Sequence, residues 1–261
     1  MLRKRTAATL LLLLFLPNVT FAGGDESRTF SSVAYTELNF ARGDQNYYSS
    51  LITAINRDID KDGFLFRVQG SIDQFEYNTL LDVAGTKING TEWQGAAFVG
   101  YQRIRDDINY SVYAGFEDLS VNLSPKDFNN PVRGNQAGAG VIGEIETEQE
   151  KRFYGDVQGE YTSAFQTYFV RVRAGAKFGP GLPASQLAIG PEGSVLGDQS
   201  FNAQRLGAFV LLPIDLKAIG RLEVIAAGGY QWVSSNSEDI ASGSLAGGTG
   251  AYATVSFSTP F

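Results

Sequence analysis

The chain has 261 residues, no histidine, no cysteine and a formal net charge of −7. Without histidine there is no Ser-His-Asp arrangement, no imidazole base and no His-ligated zinc; without cysteine there is no disulfide framework and no thiolate chemistry. An acidic balance of 21 Lys+Arg against 28 Asp+Glu has the wrong sign for a nucleic-acid surface.

The first residues form a separate device. Arg3, Lys4 and Arg5 are a basic start, Leu10–Leu16 is an apolar core, Pro17 breaks it, and Thr20-Phe21-Ala22 offers small residues to a signal peptidase. This predicts a cleaved signal peptide over 1–22, then a short segment over 23–29. The apolar run is far shorter than the roughly 20 residues that span a bilayer as a helix. From 30 to 261 the chain reads as one domain.

That domain is rich in aromatic residues (18 Phe, 12 Tyr) and glycine (30). Alternation with period two predicts about twelve strands: 31–41, 46–57, 63–75, 92–104, 107–119, 134–147, 151–163, 166–178, 186–197, 201–213, 220–233 and 249–261. In the fifth, Ile108, Tyr110, Val112, Ala114 and Phe116 share one face and Asn109, Ser111 and Glu117 the other. In the eighth, Tyr168, Val170, Val172 and Ala174 oppose Arg171, Arg173 and Lys177. The last strand carries Ala251, Ala253, Val255 and Phe257 against Tyr252, Thr254 and Ser256, and the chain stops on Phe261. Strands of about 10 residues, rising about 3.3 Å each and tilted near 40°, span roughly 25 Å, the apolar band of an outer membrane. The third, fifth and eleventh connections (Glu76–Thr91, Ser120–Arg133, Ser234–Gly248) read as long and the second, fourth and sixth (Asp58–Asp62, Arg105–Asp106, Glu148–Glu150) as short. This is the parity of long outer loops and short periplasmic turns. The predicted fold is an all-β transmembrane antiparallel β-barrel of about 12 strands in the outer membrane of a Gram-negative bacterium.

An arginine facing lipid at mid-bilayer costs about 2–4 kcal/mol. The charged residues of the strands are therefore expected to face the lumen: Arg67, Glu117, Glu144, Glu146, Asp156, Glu160, Arg171, Arg173, Glu192, Arg205 and Glu223. Ala137, Ala139 and Gly143 then face lipid, and Trp93 and Trp232 suit the interfacial belt. Three patterns invite chemistry. Gly138-Ala-Gly140-Val-Ile-Gly143 spells a dinucleotide fingerprint, but it lies inside a strand pattern with no helix to follow. Asp58-Ile-Asp60-Lys-Asp62-Gly63 opens like a calcium loop, yet the twelfth position is Gln69 and the flanks are strands, so a charged hairpin turn is the better reading. Paired carboxylates such as Glu144 and Glu146 would suit sugar hydrolysis, but ion pairing with the Arg171, Arg173 and Lys177 ladder accounts for them.

Several segments carry a resemblance. They are Asn56-Arg57-Asp58 with Asp62-Gly63-Phe64-Leu65-Phe66-Arg67, Asn130-Pro131-Val132-Arg133-Gly134, and Ser163-Ala164-Phe165 with Arg171-Val172-Arg173. After them come Ile189-Gly190-Pro191-Glu192-Gly193 and Phe201-Asn202-Ala203-Gln204-Arg205. In this order the chain resembles the BcsS family of bacterial cellulose biosynthesis proteins over roughly 30–261. The resemblance implies an outer-membrane protein working beside a cellulose synthase complex, with cellulose and membrane lipid as partners. It supplies no catalytic residue, cofactor or metal ligand. Arg133, Glu192 and Arg205 lie in its motifs as structural or glycan-contacting residues, and Glu192 and Arg205, on neighbouring strands, are expected to form an ion pair. The expected role is non-enzymatic help with export, anchoring or display of cellulose. A small porin is the alternative.

Overall fold

The computed structural model describes residues 31–79, 86–147, 152–179, 186–216, 220–235 and 248–261; the expected signal peptide and the segment over 23–29 lie outside them. The described chain is twelve antiparallel strands: β1 Ser32–Ala41, β2 Asp44–Ala54, β3 Gly63–Thr79, β4 Thr86–Arg105, β5 Ile108–Ser124, β6 Gly134–Thr147, β7 Phe153–Thr162, β8 Tyr168–Phe178, β9 Leu187–Gly197, β10 Phe201–Leu216, β11 Gly220–Ser235 and β12 Gly250–Pro260. Each pairs with its sequence neighbour, and β1 closes the ring on β12, with Leu38 opposite Val255. Closure leaves no unpaired strand edge, which is what a bilayer demands of a β-structure.

The alternation resolves as expected. Phe64, Phe66, Val112, Phe116, Val141, Phe153, Val172, Leu206 and Phe257 point outward and are exposed, while Arg67, Glu117, Arg173, Glu192 and Arg205 are buried inside. A soluble protein could not leave so many large apolar groups in water. Ala137, Ala139 and Gly143 are exposed on the outer face, and Trp93 and Trp232 are about half exposed there.

Two expectations about connections are corrected. The third is not a long loop over Glu76–Thr91: β3 runs to Thr79 and β4 begins at Thr86, paired directly through Phe75 and Gly90. Gly90 lies within β4 under the Phe75 ring; an added Cβ would lie 2.1 Å from that ring. Nor does the length parity hold strictly. The second connection, 55–62, is as long as the eighth, 179–186, while the first and ninth are only 42–43 and 198–200. Most of the eleventh, 236–247, lies outside the described residues.

The lumen is filled in layers. At the end carrying both described chain ends, two apolar clusters occupy it, one around Leu65, Phe98, Tyr113 and Ile142, the other around Tyr154, Phe209, Leu211 and Ile225. At the opposite end β3, β4 and β5 overshoot the ring, and the inward-facing Phe75, Tyr77, Ile88, Leu119 and Val121 are covered by Val132 of the 125–133 loop and by Ala164 and Phe165 of the β7–β8 turn. That loop is pinned: Tyr77 donates its hydroxyl to Asp127 Oδ2 at 2.8 Å, Asn130 Nδ2 donates to Tyr77 Oη at 2.9 Å, and Val132 N donates to Asn130 Oδ1 at 2.9 Å. The glycine run is structural too: Gly138 and Gly140 stay within β6, where an added Cβ would meet Ala164 N at 2.3 Å and the Phe98 ring at 3.0 Å. No helix follows it, which removes the nucleotide reading.

Candidate functional site in the barrel lumen

Side chains on non-adjacent strands of a closed barrel can meet only through its interior. Such contacts therefore locate the luminal residues without reference to any assumed orientation. Arg67 on β3 donates from Nη1 to Glu144 on β6 at 2.6 Å and from Nη2 to Tyr48 Oη at 2.7 Å. Gln69 on β3 donates to Glu160 on β7 at 2.6 Å. Arg171 on β8 donates from Nη1 to Glu37 on β1 at 2.8 Å, and these strands are five steps apart in a ring of twelve, one short of diametrically opposite. Glu37 also accepts from the Tyr35 hydroxyl, and Arg171 also donates to Gln158 at 3.1 Å and stands 3.7 Å from Asp156. The bridge thus spans the lumen from wall to wall.

The expected Glu192–Arg205 pair does not form; the register decides otherwise. Glu192 lies directly opposite Arg173 in the β8–β9 ladder and accepts its Nε–H at 2.5 Å, while its other oxygen accepts the Tyr252 hydroxyl at 3.0 Å. Arg205 lies opposite Ser194 on one side and Gln231 on the other. It donates to Gln231 Oε1 at 2.6 Å, lies 3.9 Å from Asp44, and covers the Tyr252 ring at 5.2 Å. Glu144 is held by Arg67, so it forms no carboxylate dyad with Glu146, which is exposed on the same face nearer the strand end. Arg133 is not luminal. It is exposed at the end of the 125–133 loop, donates to Asn130 O at 3.3 Å, and stacks at 5.8 Å over the exposed ring of Phe128.

The acidic hairpin 58–62 spends its carboxylates locally. Asp58 Oδ1 accepts from Asp60 N and Oδ2 pairs with Lys61 at 2.7 Å, while Asp62 Oδ1 accepts from Ile104 N at 2.7 Å. Hydrogen bonding to Lys61 lowers the pKa of Asp58. Among the described residues no group of three or more acidic residues is placed to hold a metal ion, and the hairpin behaves as a capped turn.

Above the arginine layer the lumen widens into a cavity of about 200 Å³, running from Tyr48 and Arg171 at its floor to Val132, Thr167, Asp198 and Phe201 at the rim. Its walls bring together Glu117, Glu160, Arg171 and Arg205 from the predicted set with five carboxylates that the predicted set lacked: Glu37, Asp44, Asp73, Glu92 and Asp198. Period-two counting along β1 and β4 was the signal that could have found Glu37 and Glu92. Asp44 and Asp198 sit at strand ends, where the period gives no facing. Asp198, in the β9–β10 turn, accepts from Ser200 N at 2.6 Å and Phe201 N at 3.2 Å, and burial still pushes its carboxyl up to about 6.

Three solved structures compare as follows. CdiB from Acinetobacter baumannii shares 8% identity over 90% of this chain with a TM-score of 0.39, and the chain spans about 60% of CdiB's length. The β domain of the Bordetella autotransporter BrkA shares 12% identity over 90% of this chain and 100% of that one, with a TM-score of 0.39. The translocator domain of the autotransporter NalP from Neisseria meningitidis shares 8% identity over 91% and 90% of the two chains, with a TM-score of 0.26. A search of curated proteins found no match. The family model for the cellulose biosynthesis protein BcsS matches residues 33–261, that is, the whole barrel from the first strand to the last residue, and the chain belongs to that family.

Proposed function

We propose that this chain is a non-enzymatic accessory of bacterial cellulose biosynthesis, seated in the outer membrane of a Gram-negative bacterium, that anchors or displays cellulose at the surface rather than conducting solute. Family membership supplies the cellulose context. The apolar outer face and ring closure support the membrane address. The observation that carries the choice between display and conduction is the Arg171–Glu37 bridge, which crosses the lumen above two apolar clusters that fill the space beneath it. A polymer or solute path through the barrel would have to pass all three.

The partners of this reading are membrane lipid, cellulose and the synthase complex. The test is deletion of the gene with surface cellulose scored by dye binding and total cellulose measured in parallel. Loss of surface cellulose with synthesis intact supports display; an unchanged surface refutes it. Steady single-channel conductance of the purified barrel in planar bilayers would instead favour the porin.

A further inference from the structure

The 125–133 loop that caps one end of the barrel has two different sides. Its underside belongs to the fold: Val132 is buried against Leu119 and Val121, and the buried Asp127 and Asn130 are both bonded to the Tyr77 hydroxyl. Its backbone is held as well, since Asn129 N donates to Asp127 Oδ1 at 3.1 Å and Val132 N donates to Asn130 Oδ1. Its other side carries Phe128, which is 71% exposed, with the Arg133 guanidinium 5.8 Å from the ring centre. A loop fastened at this many points holds that ring out in a fixed place.

Lipid does not account for the ring. On the outward side of β4, Trp93 is the last aromatic residue toward this end, followed by Thr91, Asn89 and Lys87. Tyr77 pairs with Ile88, five residues beyond Trp93 on that strand. Five residues rising about 3.3 Å each, tilted near 40°, put that level about 13 Å past Trp93. Phe128 directly follows Asp127, which Tyr77 holds. On β5 the outward positions leading to the loop are Asp118, Ser120 and Asn122, none of them apolar.

Charge narrows the partner further. The chain is acidic, yet between 119 and 137 Asp127 is the only acid, and it is buried under the loop. The exposed polar groups of this segment include the amides of Asn122, Asn129 and Asn135, with Lys126 and Arg133. Amides both donate and accept, and a guanidinium offers a planar fork of donors. A polyanion would call for more than two cations, and one of these two is stacked on the ring. A pyranose has apolar C–H faces and a rim of hydroxyls, which matches an aromatic face beside amides and a guanidinium.

We propose that Phe128, Asn129 and Arg133 form a surface docking site for a β-glucan chain. A sugar face stacks on the side of the Phe128 ring that Arg133 leaves open, and Asn129 and Arg133 bond its hydroxyls. The proposal rests on the cellulose role given above and puts the point of contact on the capping loop, outside the lumen.

The test is co-sedimentation of the purified, detergent-folded barrel with acid-swollen cellulose, with cellohexaose and maltohexaose as competitors. Retention is expected that cellohexaose competes and maltohexaose does not. It should fall at least fivefold in Phe128→Ala and in Arg133→Ala and persist in Phe128→Trp. Heat-modifiable gel migration establishes that each variant is folded. No retention of the wild type, or retention indifferent to Phe128→Ala, overturns the proposal. So does quenching of Phe128→Trp emission by brominated lipid in vesicles, read in a Trp93→Phe, Trp232→Phe background, because the ring then lies in the membrane. Complementing the gene deletion with Phe128→Ala separates the two levels. Surface cellulose lost on deletion and restored by this variant keeps the display role and removes the site. Retention that depends on Phe128, with a deletion that leaves surface cellulose unchanged, keeps the site and removes the role.

Discussion

The cross-lumen bridge makes the sharpest quantitative prediction. At 2.8 Å between Arg171 Nη1 and Glu37 Oε2, an effective dielectric of about 20 gives a gross attraction of about 6 kcal/mol. Desolvation of both groups offsets much of that, but truncating one partner leaves the other buried without its counter-charge, which costs about 3–5 kcal/mol. Both side chains are deep, at 8% and 13% exposed, so solvent screening does not erase the effect. Arg171 keeps Gln158 and the more distant Asp156 when Glu37 is lost, which places Glu37→Ala at the low end, about 3 kcal/mol. Arg171→Ala leaves Glu37 with only the Tyr35 hydroxyl among its hydrogen bonds and is expected to cost about 4 kcal/mol. The assay is reversible urea unfolding in lipid vesicles, run as a double-mutant cycle, with an expected coupling of about 1.5–3 kcal/mol. Single variants that each lose less than about 0.5 kcal/mol, with no coupling, would refute the bridge as a structural element and with it the argument for a closed lumen.

Other positions test other parts of the structure. Gly143→Val on the open lipid face is expected to change stability by no more than about 0.5 kcal/mol, and Gly143→Arg to cost about 2–4 kcal/mol. Gly207→Ala should cost about 1–3 kcal/mol, because its Cβ would lie 2.3 Å from Gly228 O and 2.5 Å from the Tyr252 hydroxyl. The same urea midpoints in vesicles measure all three. Asp198 titrates near 6 in the fold against an ordinary value of 3.8. The folded state thus holds the proton more tightly, and stability falls as pH rises from about 4 to about 6. Wild type minus Asp198→Asn should show a loss of roughly 3 kcal/mol across that window in unfolding at stepped pH. Asn130→Ala removes the link between Tyr77 and the backbone of Val132 and should lower local stability by about 1–3 kcal/mol, read as faster amide exchange over 126–133 with the strands unchanged.

The alternating pattern of strands such as 108–118 and 168–178 was enough, before any coordinates, to state the strand number, the two faces and the burial of the arginines. A period of two assigns each side chain to a face locally, and lipid tolerates no arginine on the outer one. Three matters lay beyond it. The stretch Glu76–Thr91 was expected to be a loop, whereas its two ends pair with each other as β3 and β4, with the Phe75 ring over Gly90. The partner of Glu192 was taken to be Arg205 because both lie on neighbouring strands, but the β8–β9 register puts Arg173 directly opposite. The meeting of Arg171 with Glu37, 134 residues earlier, depends on how the ring closes between β1 and β12. Facing is a property of each strand alone and is written in its residues; contact across a lumen follows from register and closure, which are fixed only when all twelve strands are in place.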